Sequence, residues 1–114
     1  MSKTAIVAVS KNGTVLANRL KQAYEDRADL YVDSRFSEYA IDYISYDLPL
    51  RPIIDRIFSD YEIIVLFLPV GATVRLIAPH LKTKTIDPAV ISVDEMGKFT
   101  VSIVSGHIGG ADKA

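Results

Sequence analysis

Hydrophobic and polar positions follow two regimes along this chain: short, nearly uninterrupted apolar runs, and longer stretches with one apolar face. Residues 4–10 form a continuous run rich in β-branched side chains, ended by Lys11, Asn12 and Gly13. That pattern predicts a strand buried on both faces of a parallel sheet. From Thr14 the period turns helical, with Val15, Leu16, Leu20 and Ala23 on one face and Asn18, Arg19, Lys21 and Gln22 largely on the other. Residues 29–33 read as a second, shorter strand. No clean period survives over 34–47, where Tyr39, Tyr43 and Tyr46 recur among Asp and Ser; this predicts a surface connection anchored by tyrosines. Residues 49–58 return to helix, with Pro52 in the first turn and Ile53, Ile54, Ile57 and Phe58 as the core stripe.

The clearest strand covers 62–69 and is expected near the centre of the sheet. Pro69 and Gly71 end it, and a helix follows over 73–82, with Thr73 as its N-cap and Pro79 as a kink or stop. Residues 86–94 give another strand, entered through Asp87-Pro88. A tight connection over 95–98 leads to the last strand, 99–105; two strands this close form an antiparallel hairpin. The expected fold is a three-layer α/β/α domain spanning residues 1–114. Its mostly parallel sheet has five strands and includes the C-terminal antiparallel hairpin. Residues 109–114 look like the opening of a helix, so the chain is expected to be a fragment of a longer one, or to have that helix completed by a partner.

Composition narrows the functional classes. At 114 residues the chain is long enough for a real core, and its net charge of −1 argues against a broad phosphate-neutralising surface, hence no nucleic-acid partner. No cysteine is present, which removes disulfides, thiolate metal sites and cysteine nucleophiles. The longest apolar run, 63–70, is far below the ~20 residues of a membrane-spanning helix. Residues 1–4 pass directly into a strand-like run without a secretory h-region, so no secretory signal is expected. A cytoplasmic protein without a membrane partner is expected.

The candidate chemistry gathers in the last third. Gly106, Gly109 and Gly110 surround His107 in a loop leaving a β-prone run at Ser105. Glycines allow backbone N–H groups to approach a ligand, and histidine transfers protons near neutrality; a loop histidine bonded only to backbone is the plain alternative. Arg75, read as lying in the first turn of the helix after Gly71, could grip a carboxylate with two parallel hydrogen bonds or lie solvated. Lys82 and Lys84 are ordinary surface lysines that, with Arg75 and His80, would make a basic rim. Asp87 is first a turn residue and second a catalytic carboxylate, and Asp94-Glu95 suits a hairpin turn for backbone reasons alone. Lys11-Asn12-Gly13 reads as an ordinary turn, since neither a dinucleotide fingerprint nor a P-loop is present. No histidine–carboxylate spacing suggests a protein metal site.

In three ordered blocks, Gly71-Ala-Thr-Val-Arg-Leu-Ile-Ala-Pro79, Lys84-Thr-Ile-Asp-Pro-Ala-Val-Ile-Ser-Val-Asp-Glu-Met-Gly-Lys-Phe99 and Ser105-Gly-His-Ile-Gly-Gly-Ala111, the chain resembles the N-terminal region of the CbiG family of cobalamin biosynthesis. The resemblance implies the cobalt-precorrin-5A hydrolase reaction of the anaerobic pathway. In it the δ-lactone of the macrocycle opens with water and a two-carbon fragment leaves as acetaldehyde, giving cobalt-precorrin-5B. Cobalt arrives inside the cobalt-tetrapyrrole substrate, so no separate cofactor is implied. On this reading His107 is the base, with Asp87 or Glu95 as orienting carboxylate. Gly71, Arg75, Lys84, Ser105, Gly106, Gly109, Gly110 and Asp112 line the substrate. Asp112 stands where family members usually carry asparagine before a longer helix, and the family continues into further CbiG domains, which become expected partners; a homo-oligomer is also compatible. The competing reading is a non-catalytic tetrapyrrole-binding or assembly module. A flavodoxin-like nucleotide or receiver domain is suggested by topology alone.

Overall fold

The computed structural model describes residues 3–81, 88–94 and 100–104, and the last five as backbone only. Among the described residues nine α-helices and β-strands follow one another: β1 (Thr4–Ala8), α1 (Lys11–Tyr24), β2 (Ala28–Asp33), β3 (Ile44–Tyr46), α2 (Arg51–Ile57), β4 (Ile63–Phe67), α3 (Val70–Ile77), β5 (Ala89–Val93) and β6 (Thr100–Val104). They build one sheet in the order β3-β2-β1-β4-β5-β6, parallel throughout except for the antiparallel β5–β6 pair. All five expected strands are present, the run after residue 62 is one of the two central ones, and the three-layer arrangement holds.

Strand alternation decides which side chain meets which helix. Ala5, Val7, Ile64, Leu66 and Val90 face α2 and α3, where Ile54, Ile57, Phe58 and Ile77 close the larger core. Ile6, Ala8, Leu30, Val32, Val65 and Phe67 face α1, packing on Ala17, Leu16 and Leu20. Because β1 is buried along its whole length, its residues had to be apolar on both faces, which is why it reads as an unbroken run.

Four local readings change. Strand β3 adds a sixth, edge strand inside 34–47, preceded by a 3₁₀ segment Ser34–Tyr39. Its signal is lost because only Tyr46 is buried, its hydroxyl donating to the Ala8 carbonyl at 2.8 Å. Lys11-Asn12-Gly13 is not a turn outside the helix but its first turn. Ser10 is the N-cap, and its Oγ accepts from Gly13 N at 3.0 Å. Thr73 is not an N-cap either: α3 begins at Val70 behind Pro69, and Thr73 is buried, its hydroxyl bonded to Ser92 Oγ at 3.2 Å. Arg75 therefore lies in the last turn of α3, not the first. Pro79 does stop the helix, which gives way to a 3₁₀ turn, Ala78–His80.

Candidate functional site

Two edges of the sheet compete for a functional role. At the carboxyl edge, β1 and β4 diverge to helices on opposite faces, the place where open α/β sheets usually bind ligands. Here that crevice is occupied by the chain itself. Gly13 is buried, and a Cβ at its position would meet Ser10 Oγ at 2.9 Å and Phe67 Cβ at 3.4 Å, so the start of α1 packs directly on the end of β4. Asp33, ending β2 and 1% exposed, is saturated by one neighbour. Its carboxylate accepts from Arg35 N at 3.0 Å and from Arg35 Nη2 at 2.8 Å. The side-chain bond to Arg35 holds the Asp33 carboxyl below the usual carboxylate range, against the opposing cost of burial.

Polar side chains gather at the amino edge. Residues Lys3, Glu62 and Ala89 are tied there by backbone bonds, Glu62 N to Lys3 O at 3.1 Å and Ala89 N to Glu62 O at 2.9 Å. A polar chain crosses this edge, Tyr31 Oη to Tyr61 Oη at 2.7 Å and Tyr61 Oη to Asp29 Oδ2 at 2.6 Å, with Lys3 Nζ 3.5 Å from Asp29. Burial, followed by the bonds to Asp29 and Tyr31, pushes the Tyr61 phenol well above its ordinary value. Further along, α3 returns from the carboxyl edge and packs over β5 and β6. Its 3₁₀ extension carries His80, whose Nε2 lies 2.7 Å from Asp55 Oδ1 on α2 and whose ring stacks on Phe58 at 4.8 Å.

Of the residues that the resemblance assigns to the site, Gly71 and Arg75 are described. They sit one turn apart on the exposed face of α3, beside Val70 and Val74, which are 40% and 43% exposed. That face departs from the polar outer face of an ordinary surface helix. A Cβ on Gly71 would meet nothing within 4 Å, so the fold among the described residues does not require glycine there. The Arg75 guanidinium has no ion pair among the described residues, while its backbone carbonyl accepts from Arg51 Nη2 at 3.3 Å. Lys82, Lys84, Asp87, Glu95, Ser105, Gly106, His107, Gly109, Gly110 and Asp112 lie outside the described residues.

Strand direction nevertheless sorts the described residues that adjoin them. Val90 pairs with Val104 at the amino edge, whereas Val93 pairs with Thr100 at the carboxyl edge. Pro88, next to Asp87 in sequence, and Val104, next to Ser105, therefore share one edge. Asp94, next to Glu95, stands at the other, about 20 Å away with the five residues of β5 between them. The His80–Asp55 pair escaped sequence reading because its members are 25 positions apart on different elements and only the fold brings them together.

Comparison with known proteins gives a consistent result. A family model described as "Cobalamin synthesis G N-terminal" matches residues 52–114. Two relatives, each named cobalt-precorrin-5A hydrolase, align along nearly the whole chain. The one from Priestia megaterium is 35% identical over 112 residues, covering 96% of this chain and 30% of the relative. The one from Salmonella typhimurium is 29% identical over 108 residues, covering 95% and 30%. The chain thus spans 30% of the length of these curated relatives. A crystal structure of a cobalamin biosynthesis protein G homologue from Sulfolobus solfataricus superposes with a TM-score of 0.71 at 21% identity, over 98% of this chain and 32% of that one, a likeness of fold.

Proposed function

Since this chain belongs to the cobalamin synthesis G N-terminal family, we propose that it serves cobalamin biosynthesis as cobalt-precorrin-5A hydrolase or as the N-terminal domain of that enzyme. The observation that carries this reading is alignment with two cobalt-precorrin-5A hydrolases over 96% and 95% of the chain. Its substrate would be a cobalt tetrapyrrole, a large disc fringed with carboxylates. Arg75 and Lys84 anchor the fringe; Gly71 lets the macrocycle approach α3 closely, and Ser105, Gly106, Gly109, Gly110 and Asp112 line the ring edge.

Lactone opening needs a base for water and donors for the oxyanion that develops on the carbonyl. His107 is the base and the N–H groups of the glycine loop are the donors. Asp87 is preferred to Glu95 as the orienting carboxylate, because the described neighbours of Asp87 and of the glycine loop share the amino edge while those of Glu95 do not. Replacement of His107 by Ala is expected to lower turnover by about 10²–10⁴, the usual worth of a general base, with the circular dichroism spectrum unchanged. Wild-type turnover in that variant would remove His107 as the base.

The 30% span of the relatives favours a second reading. In it this chain is a tetrapyrrole-binding module whose chemistry resides elsewhere in the longer proteins. Acetaldehyde release from cobalt-precorrin-5A, with binding followed by visible absorption in the same sample, separates the two. Release supports the hydrolase, binding without release supports the module, and neither overturns both.

A further inference from the structure

Two histidines occur in the chain, and the sequence alone recommends only His107. The fold treats the other with more care than a surface residue needs. His80 is held at three points: by the 3₁₀ turn that ends α3, by the bond from Nε2 to Asp55 at 2.7 Å, and by stacking on Phe58 with an interplanar angle of 24°. An ionised carboxylate only accepts hydrogen bonds. The proton of the neutral imidazole is therefore on Nε2, and Nδ1 carries the lone pair. No described residue bonds Nδ1. The side chain keeps 20% of its surface open to solvent. A base fixed by stacking and oriented through its second nitrogen by a carboxylate is the arrangement proton-transfer sites use.

The geometry points to His80 as a second catalytic base, with Asp55 as its positioning residue, serving the carbon–carbon cleavage step; this rests on the hydrolase reading. The reaction needs two separate proton transfers. In the first, water oxygen bonds to the lactone carbonyl carbon as His107 takes the water proton. The acyl C–O bond then breaks, and the leaving oxygen takes that proton back, giving a carboxylic acid and a free hydroxyl. In the second, His80 Nδ1 takes the hydroxyl proton, the oxygen forms the C=O of acetaldehyde, and the C–C bond breaks. Its electron pair passes to the macrocycle carbon, which is protonated by the His80 imidazolium. Each histidine ends a step in the state in which it began, so no further reactant is needed.

The test uses the full chain with ¹⁵N-labelled histidine, whose two imidazoles are assigned with His107→Gln. Ligand-free His80 is expected as the Nε2–H tautomer. That signature should be lost in Asp55→Asn and restored in Asp55→Glu; the Nδ1–H tautomer in the wild type would overturn the proposal. On addition of cobalt-precorrin-5A, the His80 Nδ1 resonance should move. His80→Gln should retain the visible spectral change of binding and open the lactone, yet release acetaldehyde at least 100-fold more slowly. His80→Phe, which preserves the stack on Phe58, should behave the same if the glutamine variant folds poorly. Binding that leaves the His80 resonance unmoved, or acetaldehyde released at the wild-type rate by either variant, overturns the role of His80 while leaving the hydrolase reading intact. Absence of binding by both absorbance and resonance overturns that reading and the inference with it.

Discussion

Asp33 and Tyr46 show how single residues near the carboxyl edge are held. Asp33 is buried, and its carboxyl is held below its ordinary range by Arg35. Its ionised form therefore stabilises the fold at pH values above the unfolded carboxyl's pKa of about 3.9. That contribution is lost as pH falls through the lower folded value. Asp33→Asn is accordingly expected to reduce stability at pH 7 and to flatten the acid limb of a plot of denaturant midpoint against pH. Tyr46 is a second case, since burial pushes its phenol upward and its hydroxyl donates to the Ala8 carbonyl at 2.8 Å. Tyr46→Phe should cost about 1 kcal/mol in urea unfolding, because it removes the donor from a buried bond. Neither role is visible in the chain: Asp33 looks like any residue at a strand end, and Tyr46, buried at the end of β3, looks the same in sequence as exposed Tyr43, which precedes that strand.

At the scale of elements, helix boundaries carry most of the new information. Gly13 invites a reading as a breaker, yet Ser10 supplies the capping acceptor that lets α1 start at Lys11. Ser10→Ala should destabilise the protein by about 1 kcal/mol, the common worth of an N-cap, as measured by thermal or chemical unfolding. Gly71 presents the opposite case. It lies in the first turn of α3 with nothing near its missing side chain. Gly71→Ala should therefore leave stability unchanged or raise it by up to ~1 kcal/mol. If Gly71 serves the macrocycle, the same variant should bind cobalt-precorrin-5A more weakly; unchanged spectral binding would remove it from the site. The helix period over 73–82 located α3 but not its start, because Pro69 and the buried Thr73 reverse the roles that their residue types suggest.

Across the whole molecule, β1, β2 and β4 have parallel partners on both sides, and β1 and β4 are the two central strands, so the amides of those two should be the slowest to exchange with deuterium. Those of β3, paired on one side only among the described strands, should be fast. Comparable rates in β3 and β4 would contradict the strand order. The same order sorts the site. Antiparallel β6 reaches the amino edge at Val104, beside the entry to β5, rather than the carboxyl edge where parallel sheets usually bind.

The sequence by itself determined the α/β class, the five main strands, the core face of α2 and membership of the family, because these rest on local period and on motifs contiguous in the chain; in α1 the period misplaced the face, for Lys21 is buried and Ala23 exposed. The short strand β3, the cap at Ser10, the Asp33–Arg35 cluster and the meeting of His80 with Asp55 were decided by the tertiary structure. Each depends on which neighbour a side chain meets after the sheet closes. Period records whether a position faces inward; it does not record what stands opposite.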